Sequence, residues 1–170
     1  MRLLKYFSGF CLLGFISFAA ACYISPKIFV KTAYALVKLE FDDLPEISSQ
    51  SLYALSSDEN SDHIIVDVRT LEERQVSIIP GAINETHFER NLSGYQNKKI
   101  IVYCTIGYRS GYYTQSLRQK GLDAYNLSAG ILGWTHINGR LFNSQGKATK
   151  RVHIYSRPWD LALKNYIAVY

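Results

Sequence analysis

The chain has 170 residues, enough for one compact domain with appendages and too few for two full domains. With 48% hydrophobic and 19% charged residues it can bury a core, which excludes intrinsic disorder as its default state. Its net charge is +5, but without residues 1–21 there are 17 Lys/Arg against 14 Asp/Glu; with no clustered basic stripe and scattered tyrosines, nucleic acid is not an expected partner.

The sequence opens on MRLLK and continues with 21 uncharged residues, Tyr6–Pro26. Such a run is long enough to span a bilayer, and its flanks also suit a secretory signal, so a hydrophobic helix is expected within residues 1–25. The stretch FAAAC, residues 18–22, is compatible with three outcomes. These are cleavage after Ala21, lipidation of Cys22 and retention as an anchor. Membrane attachment or export, to the periplasm or its equivalent, is their shared consequence. Arg2 and Lys5 before the run and Lys27 and Lys31 after it leave the orientation open. Two of the three cysteines, Cys11 and Cys22, belong to this region. The folded part therefore holds one thiol, Cys104, and no intrachain disulfide framework.

Residues 26–44 read as a connector, with helical spacing over 26–40, and Pro45 marks a boundary. Within residues 45–140 the pattern alternates in type. Ser48 or Ser49 caps a short helix over 51–57; HIIVDV (63–68) is a β-branched strand; TLEERQVSII (70–79) is helical, with Glu72 and Glu73 in its first turn. An extended piece at 80–84 and a short helix at 85–92 precede a second buried strand, KIIVYC (99–104). A helix over 110–120 is closed by Gly121, a strand follows at 123–127, and residues 130–139 turn into another helix. Residues 141–170 form a C-terminal extension, with a hairpin near Gly146 and a short helix from about Pro158. Strands and helices alternating at this spacing predict an α/β layered domain, its mostly parallel sheet flanked by helices. Ligands in such sheets bind beyond the carboxyl ends of the strands, where Asp67 and Cys104 fall.

The loop CTIGYRSG joins the second strand to the helix after it. Inward-pointing amides in such a turn, the positive end of the following helix and Arg109 favour an ionised, nucleophilic thiol at Cys104, and Gly107 permits the tight backbone. Asp67 is suited to positioning the loop or pairing with a cation, a local structural role as much expected as a catalytic one. Arg69 and Glu73, at i and i+4, are expected to pair on a helix turn. Trp134 reads as core. His63, His87, His136 and His153 show no ligand spacing, so no metal is expected.

Cys104-x-x-Gly107-x-Arg109-Ser110 resembles the active-site loop of the rhodanese family. IIVDVRTLEE, IPGAIN and LSAGILGW resemble three further motifs of that family, in the same order. The resemblance implies a sulfurtransferase of rhodanese-like fold, in which Cys104 carries sulfur as a persulfide and no metal or organic cofactor is needed. Thr105, Ile106, Gly107, Tyr108, Arg109 and Ser110 would then hold a small anionic donor such as thiosulfate, with Asp67 and Arg69 in support. The sulfur acceptor is not legible. Two departures stand out: Thr105 and Ile106 follow the cysteine where a basic residue is usual, and Ser77-Ile78 replace Gly-His before IPGAIN. The first implies weaker thiosulfate binding or a different donor, and the second the loss of an expected polar side chain. A related phosphatase-type loop needs five residues between Cys and Arg, whereas four separate Cys104 and Arg109. The alternative from another class is a rhodanese-like binding or regulatory module, tethered to a membrane and without turnover.

Overall fold

A computed structural model describes residues 20, 23, 25–41, 43–58 and 62–170. The hydrophobic helix expected near the N-terminus falls almost wholly outside these residues, as do Cys11 and Cys22. Among the described residues no helix is long and apolar enough to cross a membrane.

Five parallel strands form the central sheet, in the order β1-β5-β4-β2-β3. They are β1 (Glu46–Ile47), β2 (His63–Asp67), β3 (Ala82–Asn84), β4 (Lys99–Tyr103) and β5 (Ala124–Leu127). Central β4 pairs with β2 from His63↔Lys99 to Asp67↔Tyr103, and with β5 at Ile100↔Ala124. Both faces of β4 are covered, which is why it reads as a continuous apolar run rather than an alternating one. Ile101 and Tyr103 join one core cluster, Ile100 and Val102 the other.

The helices divide between the two faces. On the Ile100 side, α4 (Glu85–Arg90) and α5 (Tyr108–Gln119) bury Phe88 and Leu117. On the Ile101 side lie α1 (Pro26–Lys38), α2 (Ser49–Ser56) and α6 (Gly130–His136), contributing Val30, Leu52 and Trp134. The short α3 (Leu71–Val76) connects β2 to β3. Ser48, rather than Ser49, caps α2 by accepting from the Ser51 amide at 3.0 Å. Thr70 and Glu73 cap each other's backbone at the start of α3, a reciprocal capping box.

Three expected boundaries move for identifiable reasons. The helix expected over 70–79 stops at Val76, because Ile78 instead bridges to Phe142. The helix expected from Ser110 begins at Tyr108, because Gly107, in the left-handed region at φ 106°, already turns the chain into it. After the expected hairpin of β6 (Leu141–Phe142) with β7 (Ala148–Thr149), the extension adds a parallel pair, β8 (Arg151–His153) with β9 (Ile167–Val169). A 3₁₀ turn over Arg157–Ala162 lies between these two strands.

The C-terminal extension and α1 pack into the same core as the sheet. Leu141, Val152, Ile154, Ala162 and Val30 are buried beside Ile65 and Ile101. Ile154→Ala should therefore cost about 2–5 kcal/mol, the usual range for truncating a buried isoleucine. Ile167→Ala, at a residue 62% exposed, should cost less than about 0.5 kcal/mol. Urea unfolding midpoints of the two variants check this difference.

Candidate active site

Cys104 follows the last residue of β4, and its thiol lies at the start of α5. The Gly107 amide donates to Cys104 Sγ at 3.2 Å, and the Ser110 hydroxyl stands 3.5 Å from it. This arrangement depends on where the loop carbonyls point. The Ile131 amide donates to the Cys104 carbonyl at 2.9 Å and the Leu132 amide to the Thr105 carbonyl at 3.2 Å. The Gly107 carbonyl accepts from Asn126 Nδ2 at 2.9 Å. With these oxygens engaged elsewhere, the Gly107 N–H is free to face the sulfur. Gly130, where α6 begins, lies so close to the Cys104 and Thr105 carbonyls that a side chain there would collide with backbone.

Ser110 has one proton and two neighbours that could take it. Asn126 Oδ1, at 2.7 Å, holds it in the resting geometry. When negative charge develops on sulfur, the hydroxyl can rotate to donate that proton to Sγ, 3.5 Å from its oxygen.

Arg109 is paired. Its guanidinium donates to both Glu73 oxygens at 2.8 Å and lies 5.2 Å from the centre of the Tyr155 ring. Glu73 also accepts from the Thr105 hydroxyl at 2.9 Å and from the Thr70 amide. Burial pushes the Glu73 carboxyl up, but the Arg109, Thr70 and Thr105 donors outweigh it and hold it at about 2. The expected Arg69–Glu73 pair is not formed. Arg69 turns instead to Asp67, through Nε at 2.9 Å and Nη2 at 2.7 Å, and donates to the Ser77 carbonyl at 2.6 Å. Asp67 also accepts from the Tyr103 hydroxyl. Burial would lower the Arg69 pKa, yet Tyr103 and Asp67 beside it raise it above the ordinary guanidinium value.

The residues expected at the site thus divide into three groups. Cys104, Gly107 and Ser110 meet at the sulfur, while Thr105 and Arg109 meet at Glu73. Asp67 and Arg69 brace the ends of β2 and β4 below the loop. Ile106 belongs to the apolar core, and Tyr108 is exposed against Phe41 and Tyr112. Sequence reasoning missed Asn126, Glu73's hold on the loop, Tyr34 and Tyr155. An asparagine inside a short apolar strand and the Thr70-x-x-Glu73 spacing were usable signals for the first two. The tyrosines carried none. Among the described residues no group of His, Cys, Asp and Glu is arranged to hold a metal ion.

Residues 48–137, more than half of the chain, match the family model for the rhodanese-like domain. The chain is 39% identical over 70 residues to a tRNA sulfurtransferase from Desulfurococcus amylolyticus, covering 41% of this chain and 14% of that protein. It is 25% identical over 150 residues to a tRNA uridine(34) hydroxylase from Onion yellows phytoplasma, covering 79% of this chain and 49% of that one. It spans under half the length of either curated relative. Among solved structures, thiosulfate sulfurtransferase from Pseudomonas aeruginosa superposes with a TM-score of 0.56 at 27% identity, covering 78% of this chain and 26% of that one.

Replacing Glu73 by Gln keeps the helix cap but removes the charge that faces Arg109. The variant should lose about 2 kcal/mol at pH 7, discounted because Arg109 is partly exposed. A depressed carboxyl contributes stability above its unfolded value of 4.5, and that contribution disappears as pH falls through about 2. The gap between wild type and Glu73→Gln should therefore close between pH 4.5 and 2, read by urea unfolding at each pH.

Proposed function

The chain belongs to the family of rhodanese-like domains, and on that premise we propose that it transfers sulfane sulfur through a persulfide on Cys104. The observation that carries this reading is the sulfur's environment: a thiol at a helix start, facing an amide and a hydroxyl donor, with the loop carbonyls turned away. Two of the similar proteins are named sulfurtransferases, which supports the reaction class.

With thiosulfate as donor, the Cys104 thiolate attacks the outer sulfur. The donor's S–S bond breaks, its electron pair leaves with sulfite, and a Cys104 persulfide remains. A nucleophilic acceptor then attacks the terminal sulfur, and the Cys104 thiolate departs with the bonding pair. Neither step needs an outside oxidant or reductant. The Gly107 amide and the Ser110 hydroxyl stabilise charge as it shifts between the two sulfurs, while Glu73 fixes Arg109 at the edge of the loop. Arg109 already faces a carboxylate, and Thr105 and Ile106 add no cation. These features support a donor held mainly by amide dipoles, with thiosulfate as a weak representative of its class. The apolar run before Pro26 supports membrane attachment or export of the domain.

A second reading, a binding module without turnover, is favoured by one observation: Cys104 is only 1% exposed. Incubation with thiosulfate, followed by intact mass and cyanide-dependent thiocyanate production, separates the two. A sulfurtransferase gains one sulfur atom and turns over, and Cys104→Ser abolishes both. If neither thiosulfate nor mercaptopyruvate leaves sulfur on the protein, the binding module stands instead.

A further inference from the structure

The family match covers residues 48–137, yet two tyrosines outside it lie against the catalytic loop. Tyr34, on α1, packs its ring on Gly107, where a Cβ would come within 2.7 Å of Tyr34 Cε2. Tyr155, between β8 and the 3₁₀ turn, places its ring against the Arg109 guanidinium. The segments that carry them hold each other. Phe29 of α1 meets Trp159 of the 3₁₀ turn edge to face, with ring centroids 5.7 Å apart. Val30 shares a core cluster with Ile154 and Ala162. Glu46, on edge strand β1, anchors α1 by accepting from the Tyr34 hydroxyl at 2.7 Å and Lys38 Nζ at 3.0 Å.

Beside these two contacts the cysteine is 1% exposed, and Thr105, Ile106, Gly107 and Ser110 are buried. A sulfur atom that water barely touches is out of reach of thiosulfate, which is several times larger than water. The covering residues are not rigid core throughout. Tyr155 is 55% exposed and touches the loop from one side, so it can swing outward without opening the sheet.

We propose that the Tyr34 and Tyr155 rings, carried by α1 and the C-terminal segment, form a latch closed over the Cys104 loop, and that sulfur donors reach the thiol only when these rings swing away. The resting state is then autoinhibited by parts of the chain outside the family domain. Accessibility of the thiol is independent of its chemistry; only the sulfur-loading arm of the test rests on the sulfurtransferase reading.

The test uses the full chain carrying Cys11→Ser and Cys22→Ser, which leaves Cys104 as the single thiol. The second-order rate of alkylation by iodoacetamide reports access, and persulfide formation from thiosulfate reports chemistry. Tyr34→Ala with Tyr155→Ala should alkylate about tenfold faster or more, because an open state populated at roughly 0.1–10% limits the parent. Trp159→Leu, which loosens the contact between the two segments without touching the loop, should also accelerate the reaction. It carries the test if the double variant does not fold, as judged by circular dichroism. Unchanged alkylation in the folded variants overturns the latch. Faster alkylation without persulfide keeps the latch and rejects the sulfurtransferase. Persulfide formation at one rate in parent and variants does the reverse.

Discussion

The carbonyl oxygens of Cys104, Thr105 and Gly107 all have partners outside the loop, and the site depends on that fact. A turn from strand to helix carries as many acceptors as donors, and an acceptor facing the sulfur would oppose negative charge on it. Buried carbonyls require hydrogen bonds, and α6 and Asn126 supply them from behind. The loop can then turn its Gly107 amide toward the thiol. The constraint reaches into the sequence at two glycines. Gly107 needs its positive φ and lies under Tyr34, and Gly130 lets α6 approach the loop backbone closely enough to donate.

Charge is arranged around this loop in two separate pairs rather than one network. Asp67 and Arg69 are fully buried, and with Tyr103 they tie β2 to β4 at the strand ends. Tyr103 also accepts from the Ile79 amide, which anchors the chain after α3 to the same point. Glu73 and Arg109 form the second pair at the loop's outer edge, partly open to solvent. A guanidinium already bound at two points offers its remaining N–H groups to an anion but little net charge. For the anionic donor proposed above, amide dipoles and the start of α5 would then supply most of the attraction.

Much of the fold was legible because its signals are local. The β-branched runs at 63–67 and 99–103, the acidic first turn at Glu72 and Glu73 and Gly121 at the end of α5 each act within a few residues. The loop motif likewise placed Cys104, Gly107 and Ser110 together, since their spacing crosses a single turn. Failures came where distant groups competed for a partner. Arg69 could have met Glu73 one helical turn away, but Glu73 is taken by Arg109, 36 residues further along the chain. Arg69 then closes on Asp67, two residues before it. The parallel pairing of β8 with β9 was illegible for a similar reason: three-residue strands carry no usable periodicity, and only the intervening 3₁₀ turn brings them side by side.

The sequence by itself determined the alternation of strands and helices, the placement of one thiol at a strand end and the loop chemistry around it, all properties of contiguous residues. Tertiary structure alone decided which carboxylate holds Arg109, and that residues on both sides of the family domain pack against the loop at Gly107 and Arg109. Nothing in the local patterns around Tyr34 or Tyr155 distinguishes them from the other tyrosines, because their role lies in packing against a loop tens of residues away. That packing follows from burying Phe29, Val30 and Ile154 against one face of the sheet, and it can be read only after the chain has closed on itself.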